Sequence, residues 1–435
     1  MVETPSTSRR RLLAAAGVGA SAALAGCAAT APDTLTPSVD AAGWPMAGHD
    51  PGHTSHNPHA TPPTDPPEVA WRTEYTAPYP QYARTPNPVV ADGQLLVGGE
   101  MLDCYDAHTG AHRWTHDPVD PVYGLAVHDE TAYATRWTRE RGATLATYRL
   151  PDTTPEWSVS PDWGLLTPPL VANGDVFVAD TTRLFALDAD AGTVHWTVEK
   201  SGFAFAPAVT ADSVYITRPV RRVTRLSRAH GILDRLLGSP PNTLWADHVS
   251  GRLAFTPAAR DDTAFVPVSR FGRFESENDG TLTAYAADGT ERWQHVVGSR
   301  CLPPAVTPQA VYAVTHRTTD TAVQNDVRYS ARDATIRAYD PRTGEPRWSE
   351  HYPGLGGGAA PPVTADGVVY AALDGNPAPA DDSPKRPVLV AVDGDGERWR
   401  RTLPAPAVRL VLAGDFLYAA LRDGTLLALA SGPDA

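Results

Sequence analysis

The chain has 435 residues, a hydrophobic fraction of 42% and a formal net charge of −13. This length suits one large repeat domain or two to three ordinary domains, and the negative charge argues against nucleic acid and anionic lipid surfaces as partners. The three cysteines, Cys27, Cys104 and Cys301, exclude a disulfide framework and a multi-cysteine metal centre. Only two of the 37 basic residues are lysines, which indicates either GC-rich codon usage or a salt-loving, halophilic host.

The N-terminus has the pattern of an export signal. Arg9 and Arg10 form a twin-arginine pair, and the mildly apolar stretch that follows is too short for a membrane span. The stretch ends in a lipobox, Leu24, Ala25, Gly26 and Cys27. We predict a twin-arginine lipoprotein signal peptide over 1–26, a lipid on Cys27 and a flexible tether over 27–43. This places the protein on the outer face of the cytoplasmic membrane. A plain cleaved signal with an incidental cysteine is the alternative.

A histidine-rich segment follows the tether. Residues 44–59 contain His49, His53, His56 and His59 among glycines and prolines. Neutral imidazoles can bind zinc or copper, but Gly and Pro suit turns better than a rigid set of ligands. We therefore expect no metal site in this segment.

The body of the chain consists of repeats of roughly 40–50 residues, the spacing typical of propeller blades. Each repeat contains a strand, an Asp- and Gly-bearing turn and a strand with Trp. Asp accepts hydrogen bonds from turn amides, and Gly supplies the positive φ at the reversal. A large ring on the last strand can wedge between neighbouring blades. The structural tryptophans are Trp71, Trp114, Trp157, Trp196, Trp293, Trp348 and Trp399.

Hairpins with short apolar strands fill the first half of each repeat. The units span 86–116, 122–160, 167–200, 206–238, 254–298, 303–351, 359–403 and 406–430. Unit four has Arg235 where the others have Trp. Unit eight lacks a last strand, and we predict that the strand near Trp71 completes it and closes the ring. The fold class is therefore all-β, an eight-bladed β-propeller of four-stranded antiparallel blades over 44–432.

These repeats resemble the pyrroloquinoline-quinone-like (PQQ-like) β-propeller repeat. Its pattern A-x-D-x-x-T-G-x-x-x-W is matched best by residues 338–348. The resemblance implies one of two functions, because the family includes quinone-dependent alcohol or sugar dehydrogenases and also cofactor-free scaffolds. An eight-bladed lipoprotein of outer-membrane protein assembly is among the scaffolds.

The dehydrogenase branch implies a quinone, a Ca²⁺ ion held by oxygen ligands, a catalytic Asp and often a vicinal disulfide. No Cys-Cys pair occurs here, and carboxylates are scarce where the inner strands begin. We therefore expect no catalytic residues, no cofactor and no resident metal. The leading hypothesis is a non-enzymatic, lipid-anchored binding or scaffold protein, and a PQQ- and Ca²⁺-dependent dehydrogenase is the alternative.

Three insertions in consecutive blades mark one face. They span 269–279, 316–333 and 374–387, between the second and third strands, and loops of one class emerge together. The blade connectors should open on the same face. We predict a ligand or partner face at Trp163, Phe203, Phe205, Trp245, Arg300, Tyr352 and Arg409. The alternative is that these rings plug the channel. We expect a monomer with an unidentified protein partner, attached to the membrane by its lipid, and no nucleic acid.

Overall fold

The computed structural model describes most of the chain after residue 40. The ranges are 41–75, 87–118, 120–160, 164–199, 205–218, 222–228, 239–248, 253–269, 280–324, 327–375 and 386–432. The signal peptide, Cys27 and most of the predicted tether lie outside them, as do Trp163, Phe203 and Arg235. In the described ranges all regular structure is β-strand, and no helix there could span a membrane.

Eight antiparallel sheets form the blades of a β-propeller, as predicted. Blades one to four contain β2 to β17 in chain order, and β1 belongs to blade eight. The bounds of β1 to β9 are Glu68–Glu74, Val89–Ala91, Gln94–Gly98, Leu102–Asp106, His112–His116, Val122–His128, Thr131–Thr138, Gly142–Arg149 and Thr154–Val159. Those of β10 to β17 are Leu170–Ala172, Asp175–Ala179, Arg183–Asp188, Val194–Glu199, Ala208–Val209, Ser213–Arg218, Arg222–Ser227 and Thr243–His248.

Blades five to seven differ in that their innermost strand is split in two. Both pieces pair with the second strand of the same blade. The bounds of β18 to β27 are Leu253–Ala254, Ala258–Arg260, Thr263–Ser269, Gly280–Ala286, Glu291–Gly298, Arg300–Cys301, Ala305–Val306, Val311–Gln324, Val327–Tyr339 and Pro346–Tyr352. Those of β28 to β35 are Leu355–Gly357, Val363–Ala365, Val368–Gly375, Val388–Asp393, Gly396–Thr402, Ala407–Ala413, Phe416–Leu421 and Thr425–Ala430.

Blade eight closes the ring in the predicted way. Strand β1 pairs antiparallel with β35, from Glu68 opposite Ala430 to Glu74 opposite Thr425. The first and last strands of the described ranges therefore share one sheet, and this pairing closes the ring.

In blade four the sequence prediction is wrong about the roles of two residues, Arg235 and Trp245. Its last strand is β17, so the unit extends beyond residue 238, and Arg235 does not replace the tryptophan. Trp245 takes that position, opposite Arg225 on β16. The predicted end of this unit is wrong because more residues separate the turn from the tryptophan in blade four than in the other blades.

The blades are joined by a recurring tryptophan contact. In four junctions the indole Nε1 donates to a carbonyl in the next blade's turn, at 3.0–3.1 Å: Trp71 to Ala107, Trp157 to Ala189, Trp245 to Ala287 and Trp293 to Pro341. The turn glycine lies on the ring. A Cβ added at Gly344, whose φ is +74°, would meet Trp293 Cγ at 2.5 Å, so only glycine fits.

Candidate ligand-binding site

The propeller has two distinct axial faces. Turns between first and second strands and between third and fourth strands lie on one, here called the turn face. Loops between second and third strands, and the connectors between blades, lie on the other, here called the loop face. The assignment follows from antiparallel strand order, because successive connections alternate between the two ends of a blade.

The histidine-rich segment covers the turn face. Its backbone carbonyls accept from inner-strand amides around the ring: Pro51 from Val209, Gly52 from Ala259, Thr54 from Val306 and Ser55 from Thr364, at 2.7–2.9 Å. Asn57, fully buried, donates to the carbonyls of Gly43 and Leu412. The segment therefore plugs this end of the channel, and we call it the plug (residues 42–63).

Burial is the main cause of the shifted pKa values of the histidines inside the plug. Burial lowers the pKa of His53 to about 4, and burial together with Arg260 does the same for His56. Burial tends to raise the pKa of Asp50, but hydrogen bonds from His49 and Thr54 outweigh it and the pKa is lowered. Within the part of the chain that the structure describes, no three His, Cys, Asp or Glu side chains are grouped so that they could hold a metal ion.

Two residues predicted for the ligand face have packing positions instead. Trp245 lies between blades four and five, near the rings of Tyr215 and Tyr285. Tyr352 is 3% exposed and packs in the core between blades six and seven, with the guanidinium of Arg400 5.3 Å from its ring centroid. Both rings pack between blades; Tyr352 is buried there, whereas Trp245 is partly exposed.

The remaining described candidates lie where inner strands begin, on the loop face. Phe205 meets Phe255 edge to face, with centroids 5.3 Å apart. Arg409 is half-buried and donates to the carbonyl of Val408, and burial lowers its pKa. Arg300 is half-buried on β23, opposite His316 on β25. Of these, only Arg300 belongs to a larger group of charged side chains.

Blade six carries the most prominent feature of the loop face. Strands β25 and β26 continue past the blade, pairing from Arg317 opposite Asp333 to Gln324 opposite Val327. The last strand, β27, pairs only as far as Ala334, and no described strand flanks the extension. This two-stranded extension, residues 317–333, is here called the arm.

A group of charged side chains lies at the base of the arm, between blades six, seven and eight. Arg300, His316 and Arg332 share one side of blade six, because Arg300 is opposite His316 and Arg332 lies two residues before the partner of His316. Asp374 on β30 of blade seven lies opposite Gly356. From blade eight, Arg422 Nη2 lies 3.9 Å from Asp374 Oδ2. We call these five residues the arginine cluster.

Glycines of blade seven make room for the cluster. A Cβ added at Gly356 would lie 3.3 Å from Arg332 Cδ, and one at Gly357 would lie 3.2 Å from His316 Nδ1. Both distances are tighter than ordinary van der Waals contact. The Gly-rich run thus lets a guanidinium and an imidazole lie directly against the backbone of β28.

Burial and like charge shape the titration of the cluster. Burial raises the pKa of Asp374, against the lowering effect of Arg422, Arg300 and Arg332. Burial, with Arg332 and Arg300 nearby, lowers the pKa of His316 to about 3. His316 is thus neutral near pH 7, and the charges of three guanidinium groups act on one carboxyl.

The sequence prediction missed Arg332, His316, Asp374 and Arg422 as site residues. Their common signal is position. His316 and Arg332 lie on the two strands that continue into the arm, Asp374 lies near the end of β30, and Arg422 directly follows β34. Two of them, His316 and Asp374, are bounds of the predicted insertions. A comparison of corresponding loop positions between blades six, seven and eight would have grouped them.

The residues at the loop face do not fit the quinone and metal of the dehydrogenase branch. A Ca²⁺ ion takes six to eight oxygen ligands, mostly carboxylate and carbonyl. Among the described residues of this face the clustered side chains are arginines, with one carboxyl whose oxygen Oδ1 accepts no hydrogen bond. Such a set repels a cation, so no step of quinone chemistry is derived from it.

Cys104 and Cys301 are both buried free thiols, in blades one and six. Burial raises the pKa of each to about 12, so neither is a reactive thiolate.

Comparison with solved structures shows the same fold in proteins of different function. BamB from Moraxella catarrhalis matches with a TM-score of 0.57 and 16% identity, covering 84% of this chain and all of that one. Quinohemoprotein alcohol dehydrogenase from Comamonas testosteroni matches with a TM-score of 0.59 and 13% identity, covering 92% and 81%. A europium-containing methanol dehydrogenase has a TM-score of 0.55 and 12% identity, covering 88% and 90%.

At these identities the likeness is one of fold alone. None of the proteins with curated descriptions matches the sequence. The family model described as "Outer membrane protein assembly factor BamB" matches residues 98–231, 137–330 and 332–432, which is most of the chain. The chain therefore belongs to this PQQ_2 family of β-propellers.

Proposed function

We propose that the protein is a non-enzymatic binding or scaffold propeller, anchored by lipid outside the cytoplasmic membrane, whose loop face holds a partner. The single observation that carries the proposal is the arm of blade six with the arginine cluster at its base. It is the part of the described loop face that departs most from the repeat.

The geometry of the arm supports a binding role. A two-stranded ribbon is marginally stable in water on its own, and open strand edges are templates for pairing with another chain. From Arg317 to Gln324 the arm presents both edges without a described neighbour. Strand addition by a partner would supply the missing hydrogen bonds.

The plug supports the same conclusion from the other end. Because residues 42–63 occupy the turn face with backbone hydrogen bonds to inner strands, we expect a ligand to bind at the loop face. The loop face in turn carries a group of arginines, whereas a quinone-dependent enzyme needs oxygen ligands for its metal.

Export and anchoring rest on the sequence pattern of residues 9–27. The acidic chain has little affinity for anionic lipid, so stable attachment needs the covalent lipid that the Cys27 motif predicts. Changing Cys27→Ser should release the protein from membranes into the medium. Retention of the variant on membranes would contradict the anchor.

One experiment separates binding from the dehydrogenase alternative. The purified protein is incubated with pyrroloquinoline quinone and Ca²⁺, and in parallel with a trivalent lanthanide, then desalted. We expect no chromophore to remain at stoichiometric level and no dye reduction with alcohols or sugars. A stoichiometric bound chromophore with turnover would overturn the proposed function.

A further inference from the structure

The middle of the plug lies between two anchors that carry no titratable group. On one side Trp44 pairs with Val90, and on the other the buried Asn57 donates from its side chain to the carbonyl of Leu412. Between the anchors lie residues 48–56, here called the plug loop. Its carbonyls accept from the inner-strand amides of four consecutive blades, those of Val209, Ala259, Val306 and Thr364. The anchors can therefore hold the plug while the loop between them moves.

The backbone of the plug loop is strained. His49, His53 and Ser55 have φ values of +73°, +54° and +50°, in the left-handed region that residues with a side chain seldom adopt. A Cβ added at Gly48 would collide with the imidazole of His53. Such conformations persist only where the surrounding structure imposes them. Release of the loop would relieve this strain, so the closed loop depends on its contacts with the blades.

Two buried imidazoles of the plug loop have a ring nitrogen without a hydrogen-bond partner. They are Nδ1 of His49 and Nε2 of His53, and these residues are only 6% and 8% exposed. A proton added to His53 would create a buried cation whose Nε2–H has no described acceptor, which is costly. Burial lowers the pKa of His53 and of half-buried His56 to about 4. Both imidazoles are therefore neutral near pH 7, and gain of a proton by either favours an open loop.

Charged groups around these imidazoles come from the plug and from blade five. Asp50 favours protonation of both His53 and His56, but burial outweighs it. The groups that oppose protonation of His56 by like charge are Arg260 on β19, His49 and His59. At the four backbone bonds the blades present only the uncharged residues named above. A protonated His56 would thus be repelled by blade five, where the loop is bonded to the blade through Gly52.

We propose that the plug loop is an acid-released strap, in which protonation of the buried imidazoles frees residues 48–56 from the inner strands of blades four to seven while the ring stays closed. Ring closure is separate because β1, which pairs with β35, follows the plug in the chain. The inference goes beyond the proposed function, since it concerns the face opposite to the arm. Release would expose the inner-strand amides at the turn-face end of the channel.

The test is hydrogen exchange at pH 7 and pH 5, expressed as protection factors so that the intrinsic pH dependence of exchange is removed. The amides of Val209, Ala259, Val306 and Thr364 report on the loop, and amides of the middle strands of the same blades report on the ring. A pKa lowered from 6.5 to about 4 weakens closure by about 30-fold at pH 5 for each imidazole. We expect the protection of the four amides to fall by about 30-fold or more, while the middle strands change little.

Variants assign the effect to named side chains. The double variant His53→Gln and His56→Gln should show little pH dependence of protection, and this holds whatever its protection at pH 7. Arg260→Gln should move the loss of protection to lower pH, since a like charge beside His56 is removed. His351→Gln, at an exposed position on β27, is the matched control and should behave as the unchanged protein.

Three results would overturn the strap. They are unchanged protection of the four amides between pH 7 and pH 5, an equal fall in the plug contacts and the middle strands, and a pH dependence in the double variant equal to that of the unchanged protein. These results leave the proposed function standing. Quinone turnover would overturn that function and leave the strap unaffected.

Discussion

The turn face and the loop face of this propeller differ in how regular they are from blade to blade. On the turn face the plug satisfies inner-strand amides from most blades, and the recurring tryptophan contacts join neighbouring blades. On the loop face the blades diverge, with an arm, a glycine run and a group of arginines. The difference indicates that one end holds the ring together, while the other varies between blades, as the proposed binding function requires.

The largest effect that would sharpen this comparison is expected at Asn57. Asn57→Ala leaves the buried carbonyls of Gly43 and Leu412 without their donor, at about 4 kcal/mol in the free energy of unfolding for the two. Asn242→Ala, at an exposed position, is the control and should be nearly neutral. Urea unfolding measures both, and equal effects would show that the plug does not stabilise the fold.

The second-largest effect on the free energy of unfolding is expected on acidification, which should weaken the plug. The pKa of His53 is lowered by burial from 6.5 to about 4, so its contribution is fully present above pH 6.5 and is lost as the pH falls towards 4. The loss is about 3 kcal/mol. His53→Gln should reduce the slope of this part of the stability profile, leaving the part due to His56, and exposed His351→Gln should leave the slope unchanged. A wild-type profile that is flat from pH 6.5 to 4 would contradict the buried neutral imidazole.

A third prediction compares two glycines of the turn face. Gly344→Ala combines a positive φ with a clash against Trp293, at about 3 kcal/mol, whereas Gly367→Ala has a positive φ but open space, at about 1 kcal/mol. Thermal unfolding of the two variants tests the tryptophan contact. If both variants lose the same stability, the Trp293 ring does not limit the space at the Gly344 turn.

The tryptophan hydrogen bond itself should have a smaller effect. Trp293→Phe removes the donor to the Pro341 carbonyl and should cost about 1 kcal/mol more than Trp114→Phe. Trp114 Nε1 is buried and donates to no described acceptor, so removing this N–H should change the free energy of unfolding little. Denaturant midpoints compare the pair, and the reverse order would contradict the assigned role.

The smallest effect on stability is expected on the loop face. Arg422→Gln removes an exposed charge 3.9 Å from Asp374, so unfolding free energy should change by less than about 0.5 kcal/mol. The same denaturation measurement checks this. A large loss would give the loop face a structural role that the comparison denies it.

Much of the fold could be predicted from the sequence because its signals are local. Asp106, Asp188 and Asp340 each accept an amide hydrogen bond inside their own turn, which fixes the turn motif wherever it recurs. The ring closure at Trp71 followed from a missing strand at one end and a spare strand at the other. Blade four was misjudged because Trp245 is separated from its turn by an extra stretch of chain.

The plug and the arginine cluster could not be predicted in the same way. The plug binds backbone groups, which carry no side-chain pattern in the sequence. Arg300 and Arg422 are far apart in the chain and meet only because three blades are neighbours in the ring. An aromatic residue in a connector does not by itself indicate a binding surface, since the rings of Trp245 and Tyr352 pack between blades.

Hydrogen exchange of the free protein tests the contrast between the two faces most directly. The amides of Val209, Val306 and Thr364 donate to plug carbonyls, and the plug amide of Asn57 donates to the carbonyl of Thr364. These four amides should be among the slowest to exchange, whereas amides of the arm should be among the fastest. Exchange at the plug as rapid as in the arm would contradict the account of a sealed turn face and an open loop face.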